Sequence, residues 1–227
     1  MRCLIVNGDD FGASRGVNRG ILEAHRAGIL TSASLLVSGP CSAEAAELSR
    51  DAPGMSVGLH VDLRDPLDAR HRPDRLQQEL RAQLARFEAL MGRPPTHLDS
   101  HHNVHRDARA LPAFLDLARR HALPLREHSP VRYLSKFYGQ WGGETHLEQI
   151  GTESLTRLLA TEIEDGVTEL SCHPGYLDPD HVTSYAIERE VELRTLCDPS
   201  IRRVLAERSI ALASYRDVAG VLAGPIT

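Results

Sequence analysis

Short apolar segments alternate with amphipathic helical segments along the whole of this sequence. The apolar segments are rich in branched residues, which is typical of strands buried on both faces of a parallel sheet. We predict strands over 3–6, 34–37, 56–63, 95–99, 124–127, 168–172 and 210–214. We predict helices over 15–27, 42–50, 75–91, 111–121, 154–164, 184–196 and 200–208, with Asp74 as the N-cap of the third and with Gly28 and Gly92 following the first and third. The alternation indicates parallel pairing within a single domain over 1–227.

Polar residues that can do chemistry lie at the ends of the predicted strands. They are Asp9 and Asp10 after the first strand, His60 in the third, Asp99 and His101 at the fourth, Arg126 in the fifth, His173 after the sixth and Tyr215 after the seventh. In (β/α) barrels the active site is built at the carboxyl ends of the strands. An open doubly wound sheet also gathers residues at one edge, but seldom from so many strands. We therefore predict an α/β fold with a barrel-like sheet of seven strands.

The composition narrows the class of protein and its partners. An apolar fraction of 41% is sufficient for a large core, while a formal net charge of −5 argues against a nucleic-acid partner. There is no apolar run of roughly 18 residues, so we predict no membrane span, and the N-terminus begins with a strand rather than a signal peptide. The four cysteines form no CxxC pair, which argues against disulfides and favours a reducing cytoplasm.

The segment 96–105 concentrates histidine, the commonest metal-binding side chain in proteins. Four of its ten residues are histidine, although the whole chain has 12. An aspartate such as Asp99 can orient an imidazole ring or bind the ion itself. A solvated loop that happens to be rich in histidine is the alternative. Two other segments, 7–12 and 172–176, favour a metal site because they add carboxylates and a further histidine.

One carboxylate and two imidazoles that meet at one point make three protein ligands and leave a position open, as in catalytic metal sites. A bound ion lowers the pKa of a water molecule and polarises a carbonyl. Asp9 and Asp10 are adjacent, so their side chains diverge, and one can bind the ion while the other accepts a proton. His173, from another strand, is placed to protonate a leaving group. This set predicts hydrolysis of an amide or ester through a tetrahedral intermediate.

Each of these residues also has a purely structural interpretation. Asp9 and Asp10 can shape a turn, and His60 can be a core histidine with a satisfied hydrogen bond. Arg126 can be part of a structural ion pair, and His173 can be a polar group at a strand end. The occurrence of all of them at strand ends favours a functional site over five separate coincidences.

Two loops have less regular sequences. The segment 64–73 is polar and carries prolines and both signs of charge, so we predict a surface excursion at the rim. The segment 129–151 contains the single tryptophan, Trp141, with Phe137, Tyr138 and several glycines nearby. An aromatic, glycine-rich loop is either a binding wall or lid, or a satellite cluster of hydrophobic packing.

Six segments resemble the YdjC/ChbG family of carbohydrate deacetylases. They are VNGDDFG at 6–12, GILTSASLLV at 28–37, VGLHVDL at 57–63, PTHLDSHHNVH at 95–105, ELSCHPGY at 169–176 and SYRDV at 214–218. The resemblance implies a (β/α) barrel-like fold of the glycoside hydrolase/deacetylase type and one divalent metal ion. It also implies removal of acetyl groups from N-acetylated sugars, and homodimers.

The same resemblance assigns roles to single residues. It implies that Asp10, His60 and His101 bind the metal, with Asp9 as general base, His173 as general acid and Arg126 steadying Asp9. As candidates for contact with the sugar we take Phe11, His105, Tyr138, Trp141 and Tyr176. Two imidazoles and a carboxylate suit Zn²⁺ or another late first-row ion, while the family is often described with Mg²⁺.

Two departures from the family pattern affect the substrate rather than the reaction. Asn103 stands where members commonly have histidine, and the segment between His60 and Pro95 is short beside the members specific for chitooligosaccharides. Two other functions are compatible with the sequence: a metal-dependent amide or ester hydrolase acting on a non-sugar, and a sugar-binding protein without activity. Binding alone needs no base and acid, so Asp9 and His173 argue against the second.

Overall fold

In the computed structural model, which describes residues 1–63, 72–179 and 183–217, strand β1 (Arg2–Phe11) lies at the centre of a seven-stranded parallel sheet. The other strands of this sheet are β2 (Ser32–Leu35), β3 (Ser56–Val61), β4 (Leu98–Ser100), β5 (Arg132–Leu134), β8 (Gly166–Cys172) and β9 (Ile210–Leu212). Strands β6 (Gln140–Trp141) and β7 (Glu144–Thr145) form a separate antiparallel hairpin.

The sheet curls because β1 has three strand neighbours. Strand β8 pairs with β1 from Arg2 to Gly8 and so occupies one edge. On the other edge, β9 pairs with Arg2 to Leu4 and β2 pairs with Asn7 to Phe11. The strand order is β4-β3-β2-β1-β8-β5, and a parallel bridge between Leu98 and Leu125 adds a further chain segment beside β4. The predicted α/β, barrel-like fold is confirmed.

Seven helices pack against this sheet and against one another. They are α1 (Arg15–Arg26), α2 (Ser42–Arg50), α3 (Pro73–Met91), α4 (Leu111–Arg120), α5 (Thr152–Thr161), α6 (Ile187–Cys197) and α7 (Pro199–Glu207), within the described ranges. Helix α1 begins where the Ser14 hydroxyl accepts a hydrogen bond from the Val17 amide, and it packs on α6. Gly28 makes this packing possible, because a Cβ there would lie 2.5 Å from the carbonyl oxygen of Leu196.

Long apolar helices of the kind that cross membranes are not found among the described residues.

The structure corrects two sequence-based predictions. Residues 124–127 do not form a strand but contribute only the bridge at Leu125, and the fifth strand of the sheet is β5. Helix α3 begins at Pro73 after Arg72, rather than after Asp74, because proline is already shaped for the first helical position. Gly92 ends α3 as predicted, with a left-handed φ of 66°. Of the predicted polar loop 64–73, residues 64–71 lie outside the described residues.

Candidate active site

A pocket of about 650 Å³ opens at the carboxyl end of the sheet. Its polar lining includes Asp9, Asp10, His60, His101, His102, Asn103, His173, Tyr185 and Arg189. The parallel strands bring these residues together because their carboxyl ends meet at one edge. The six residues predicted as metal ligands or catalytic groups converge here, with Arg126 lying behind Asp9.

Asp10 turns its carboxylate toward two histidines. Its backbone has a left-handed φ of 66°, which is tolerated by aspartate more readily than by most residues. Asp10 Oδ1 lies 3.1 Å from Nδ1 of His101 and 3.4 Å from Nε2 of His60. This oxygen is buried and has no well-formed hydrogen bond among the described residues.

These three side chains fit a divalent cation. One carboxylate oxygen and two imidazole nitrogens lie within 4.8 Å of one another. The orphaned buried oxygen of Asp10 supports this interpretation, because buried polar atoms normally have a partner. His101 is about one-third exposed, with 32% of its side chain accessible, so the cluster is open to the pocket on that side.

Asp99 orients His60 from behind. Nδ1 of His60 donates to Asp99 Oδ1 at 2.7 Å, which leaves Nε2 facing Asp10. A carboxylate behind a ligating histidine fixes its tautomer and ring orientation. Burial lowers the pKa of His60, but the negative charge of Asp99 and the contact with Asp10 outweigh burial and raise it to about 10. A cation therefore has to compete with a proton at His60.

Asp9 is bound by Arg126, and it also belongs to a second candidate metal group with His60 and Asp99. The guanidinium donates to both oxygens of Asp9 at 2.8 Å, and Nδ2 of Asn7 donates to Oδ1 at 2.8 Å. Burial raises the pKa of Asp9, but the charge of Arg126 outweighs it, and the net pKa is below the ordinary value. Asp9 is therefore held ionised and in a fixed orientation.

Arg126 is shared by three buried carboxylates. Its Nη2 lies 2.8 Å from Asp9, 2.8 Å from Asp99 and 2.6 Å from Glu169. Burial raises the pKa of Glu169 above its ordinary value in spite of Arg126, whereas the pKa values of Asp9 and Asp99 are lowered. The hydroxyl of Tyr215 donates to the other oxygen of Glu169 at 2.7 Å. Of the three carboxylates, Glu169 is the one that most readily carries a proton.

His173 lines the pocket beside Asp9. Its Nε2 is 4.0 Å from Asp9 Oδ2, and 21% of its side chain is exposed. Burial lowers the pKa of His173 to about 4, although the charges of Asp9 and Asp10 oppose this effect. The backbone amide of His173 donates to Glu192, and the Tyr138 ring packs edge-on against the imidazole with centroids 5.7 Å apart.

Two charged residues of the site escaped the sequence analysis. Arg189 and Glu192 lie three residues apart on α6 and are both buried. Arg189 donates to Asp10, and Glu192 accepts from Tyr185 and from the His173 amide. Charged residues on a predicted helix are usually solvated, so the spacing alone carries no signal for this contact.

The structure separates the five residues predicted to contact sugar. Tyr138 lines the pocket, and Trp141 lines a neighbouring depression of about 530 Å³ that shares Tyr138 and Ser135 with it. Phe11 and His105 are fully buried and do not line the pocket. The remaining candidate, Tyr176, lies outside the pocket and packs against helix α1. Its hydroxyl donates to Glu23, and the guanidinium of Arg19 lies over its ring.

His105 and Asn103 lie two positions apart in the chain but have different surroundings. Nδ1 of His105 lies 2.7 Å from the Ser100 hydroxyl, so this histidine fastens the turn that follows β4. Asn103 lines the pocket, and its buried Oδ1 has no hydrogen-bond partner among the described residues. His102 and Asn103 both have left-handed backbones, with φ values of 54° and 51°.

Comparison with known proteins gives similarity over nearly the whole chain. The family model for YdjC-like protein matches residues 3–207. The chain is 36% identical to a chitooligosaccharide deacetylase of Serratia marcescens, over 96% of this chain and 99% of that protein. It is 36% identical to a carbohydrate deacetylase of Geobacillus stearothermophilus, over 95% of this chain and 98% of that protein. A crystal structure from Enterococcus faecalis V583, provisionally named a cellobiose-phosphate cleavage protein, has a TM-score of 0.83 at 29% identity and covers 96% of this chain and 98% of its own.

Proposed function

This chain belongs to the YdjC-like protein family, and on that premise we propose that it is a metal-dependent hydrolase that removes the acetyl group from N-acetylated sugars and releases acetate. The observation that carries the proposal is the divergence of Asp9 and Asp10. One carboxylate is paired with Arg126, and the other faces His60 and His101. A purely structural turn would need neither arrangement.

Asp10, His60 and His101 would hold the divalent ion. Such an ion makes a water molecule more acidic and polarises the acetyl carbonyl. Imidazole nitrogens are softer ligands than oxygens, so this ligand set suits Zn²⁺. Mg²⁺ is the alternative that the family resemblance implies. A homodimer and a cytoplasmic location remain predictions.

Asp9 is proposed as the general base. Its lowered pKa keeps it ionised at neutral pH, but the same shift makes it a weak base toward ordinary water. An ion held by Asp10, His60 and His101 would make water acidic enough for such a base. Arg126 fixes both oxygens of Asp9, so the carboxylate keeps one orientation as it takes up a proton.

His173 is proposed as the general acid. Its lowered pKa makes the imidazole neutral at neutral pH, and its protonated form a strong acid toward a departing amine. Asp9 Oδ2 lies 4.0 Å from His173 Nε2, beyond a direct hydrogen bond, so a proton taken up by Asp9 would pass to the imidazole through one water molecule and from there to the leaving nitrogen. The amine leaves protonated, and both side chains return to their resting states.

Acetate release tests this function directly. Purified protein is incubated with N-acetylated mono- and oligosaccharides, before and after chelation and after addition of Zn²⁺ or Mg²⁺. We expect acetate from at least one sugar, loss after chelation, recovery with metal, and no recovery in Asp9→Asn. Sugar binding without acetate would support the sugar-binding alternative, and release only from non-sugar acetamides or acetate esters would support the other hydrolase.

A further inference from the structure

Arg189 contacts the proposed metal ligand Asp10 on the oxygen that faces away from the histidines. Its Nη2 donates to Asp10 Oδ2 at 2.5 Å, while Asp10 Oδ1 faces His60 and His101. Arg189 is 5% exposed and lines the pocket. The two oxygens of one carboxylate thus face different partners.

Arg189 is held in place by the chain on both sides of it. Its Nε donates to the carbonyl of Tyr185 at 3.1 Å, and its Nη1 donates to the carbonyl of His173 at 3.4 Å. The turn after His173 packs against the side chain, because a Cβ on Gly175 would lie 3.2 Å from Cδ of Arg189. The guanidinium is therefore anchored and does not swing freely into the pocket.

We propose that Arg189 is a positioning residue that occupies Oδ2 of Asp10, so that only Oδ1 is offered to the divalent ion. This inference rests on the metal site of the proposed function. A carboxylate with both oxygens free can bind an ion through one or two of them. The contact with Arg189 removes the second mode and leaves Oδ1 facing the two imidazoles.

A ligand limited to one oxygen changes which ions fit. Ca²⁺ takes many oxygen ligands and readily accepts two from one carboxylate, whereas Zn²⁺ prefers four compact ligands that include imidazole. Arg189 also repels any divalent ion near it, but this repulsion acts alike on two ions of equal charge. The ratio of the Ca²⁺ and Zn²⁺ dissociation constants therefore isolates the effect of geometry from that of charge.

The test measures both dissociation constants on metal-free protein by calorimetric titration, counting only the binding that His101→Ala abolishes. In Arg189→Gln we expect the Zn²⁺ affinity to fall by about 10–100-fold, the usual effect of losing a partner behind a ligand. The Ca²⁺ affinity should fall less, so the ratio of Ca²⁺ to Zn²⁺ dissociation constants should drop at least about tenfold. Arg189→Lys, which keeps the charge but offers no planar fork, should give an intermediate ratio.

Arg194→Gln is the matched control, because Arg194 is exposed on the same helix and the substitution removes the same charge. It should leave both constants unchanged. Circular dichroism identifies the variants that are folded, and Arg189→Lys provides the measurement if Arg189→Gln does not fold. An unchanged ratio in the folded Arg189 variants would overturn this inference alone. Absence of His101-dependent metal binding in the unsubstituted protein would overturn the proposed metal site together with it.

Discussion

The carboxylates of Asp9 and Asp10, neighbours in the chain, are bound by two different arginines. Arg126 donates to both oxygens of Asp9 at 2.8 Å, and Arg189 donates to one oxygen of Asp10 at 2.5 Å. Asp10 has a left-handed φ of 66° at a register shift of β1, and both side chains line the same pocket. Each carboxylate therefore has its own electrostatic environment, and the two are expected to fail in different ways when substituted.

Asp9→Asn and Asp10→Asn should separate the roles of base and ligand. Asp10→Asn replaces an anionic ligand by a neutral amide, so metal content and turnover should fall together. Asp9→Asn replaces the proton acceptor by an amide of the same shape. Metal should therefore stay bound while kcat falls by roughly 10²–10⁴-fold. Elemental analysis beside kcat for sugar deacetylation checks both. Metal loss in Asp9→Asn with retention in Asp10→Asn would reverse the roles.

His101→Ala and His102→Ala should differ in metal content although their rings are adjacent. The ring centroids lie 3.8 Å apart, but only His101 joins Asp10 and His60 in the candidate cluster. Losing a ligand should reduce affinity at least as much as losing a partner behind one, which is about 10–100-fold. Metal content after dialysis is the measurement. Equal loss in both variants would remove His101 from the ligand set.

Arg126→Gln should destabilise the fold far more than Glu169→Gln. The first removes the cation shared by Asp9, Asp99 and Glu169, and breaking a buried ion pair from one side costs about 3–5 kcal/mol. The second removes one of the three carboxylates around Arg126, a group whose pKa burial raises, but keeps an amide of similar shape, and should cost about 1 kcal/mol. Urea unfolding of both variants gives the comparison. Similar costs would show that Asp9 and Asp99 do not depend on Arg126 for their pairing.

Trp141→Ala should affect long sugars more than short ones. The indole is 49% exposed, stacks on His146 with centroids 3.7 Å apart, and lines the depression beside the pocket. A sugar ring bound in this depression is remote from the reacting bond. Loss of its contact with the indole should therefore raise KM with little change in kcat. Kinetics on a monosaccharide and on oligosaccharides test this. Lower thermal stability with unchanged kinetics would favour the packing interpretation of the loop.

His97 should make the free energy of unfolding depend on pH below neutrality. The ring is fully buried, stacks on Tyr215 at 3.9 Å, and fills the space where a Cβ on Gly58 would lie. Burial lowers the pKa of His97 from 6.5 to about 4. Above pH 6.5, His97 is mostly unprotonated in both the folded and the unfolded chain, so it does not affect the free energy of unfolding. As pH falls from 6.5 toward 4, only the unfolded chain gains the proton, so stability is lost.

The size of this loss is measurable by substitution. One proton taken up only by the unfolded state corresponds to about 2 kcal/mol between pH 7 and pH 5. The unsubstituted protein should therefore lose about 2 kcal/mol more than His97→Gln over this interval, by urea unfolding at the two pH values. The same substitution at the exposed His121 is the control. Equal losses in His97→Gln and the unsubstituted protein would show that His97 does not carry the effect.

Much of the fold could be predicted because its signals are local. Helix α2 has the predicted bounds, 42–50. The central strand β1 contains a continuous apolar segment. Strand β5 was missed because Arg132 is exposed and Tyr133 only half-buried, so the segment has no apolar run. An apolar run at 122–125 leads into the predicted strand over 124–127, but the chain there meets its neighbour at Leu125 alone.

The candidate site was predictable where residues follow strands and unpredictable where they lie on helices. Asp10, His60 and His101 stand at or near strand ends, and the topology brings them together. Arg189 reaches Asp10 across 179 positions of sequence from within a helix. No short-range periodicity encodes such a contact, since burial of a charge depends on which partner the tertiary fold places opposite it.

The three-strand pairing of β1 has a consequence for how the molecule opens. Asp9 and Asp10 lie at a register shift of β1, between Gly8, which pairs with β2 and β8, and Phe11, which pairs with β2. Local fluctuations that loosen surface loops do not reach strands paired in this way. The backbone of the two acidic residues is thus held on both sides by paired residues of β1, and we expect it to open only when β1 separates from β2.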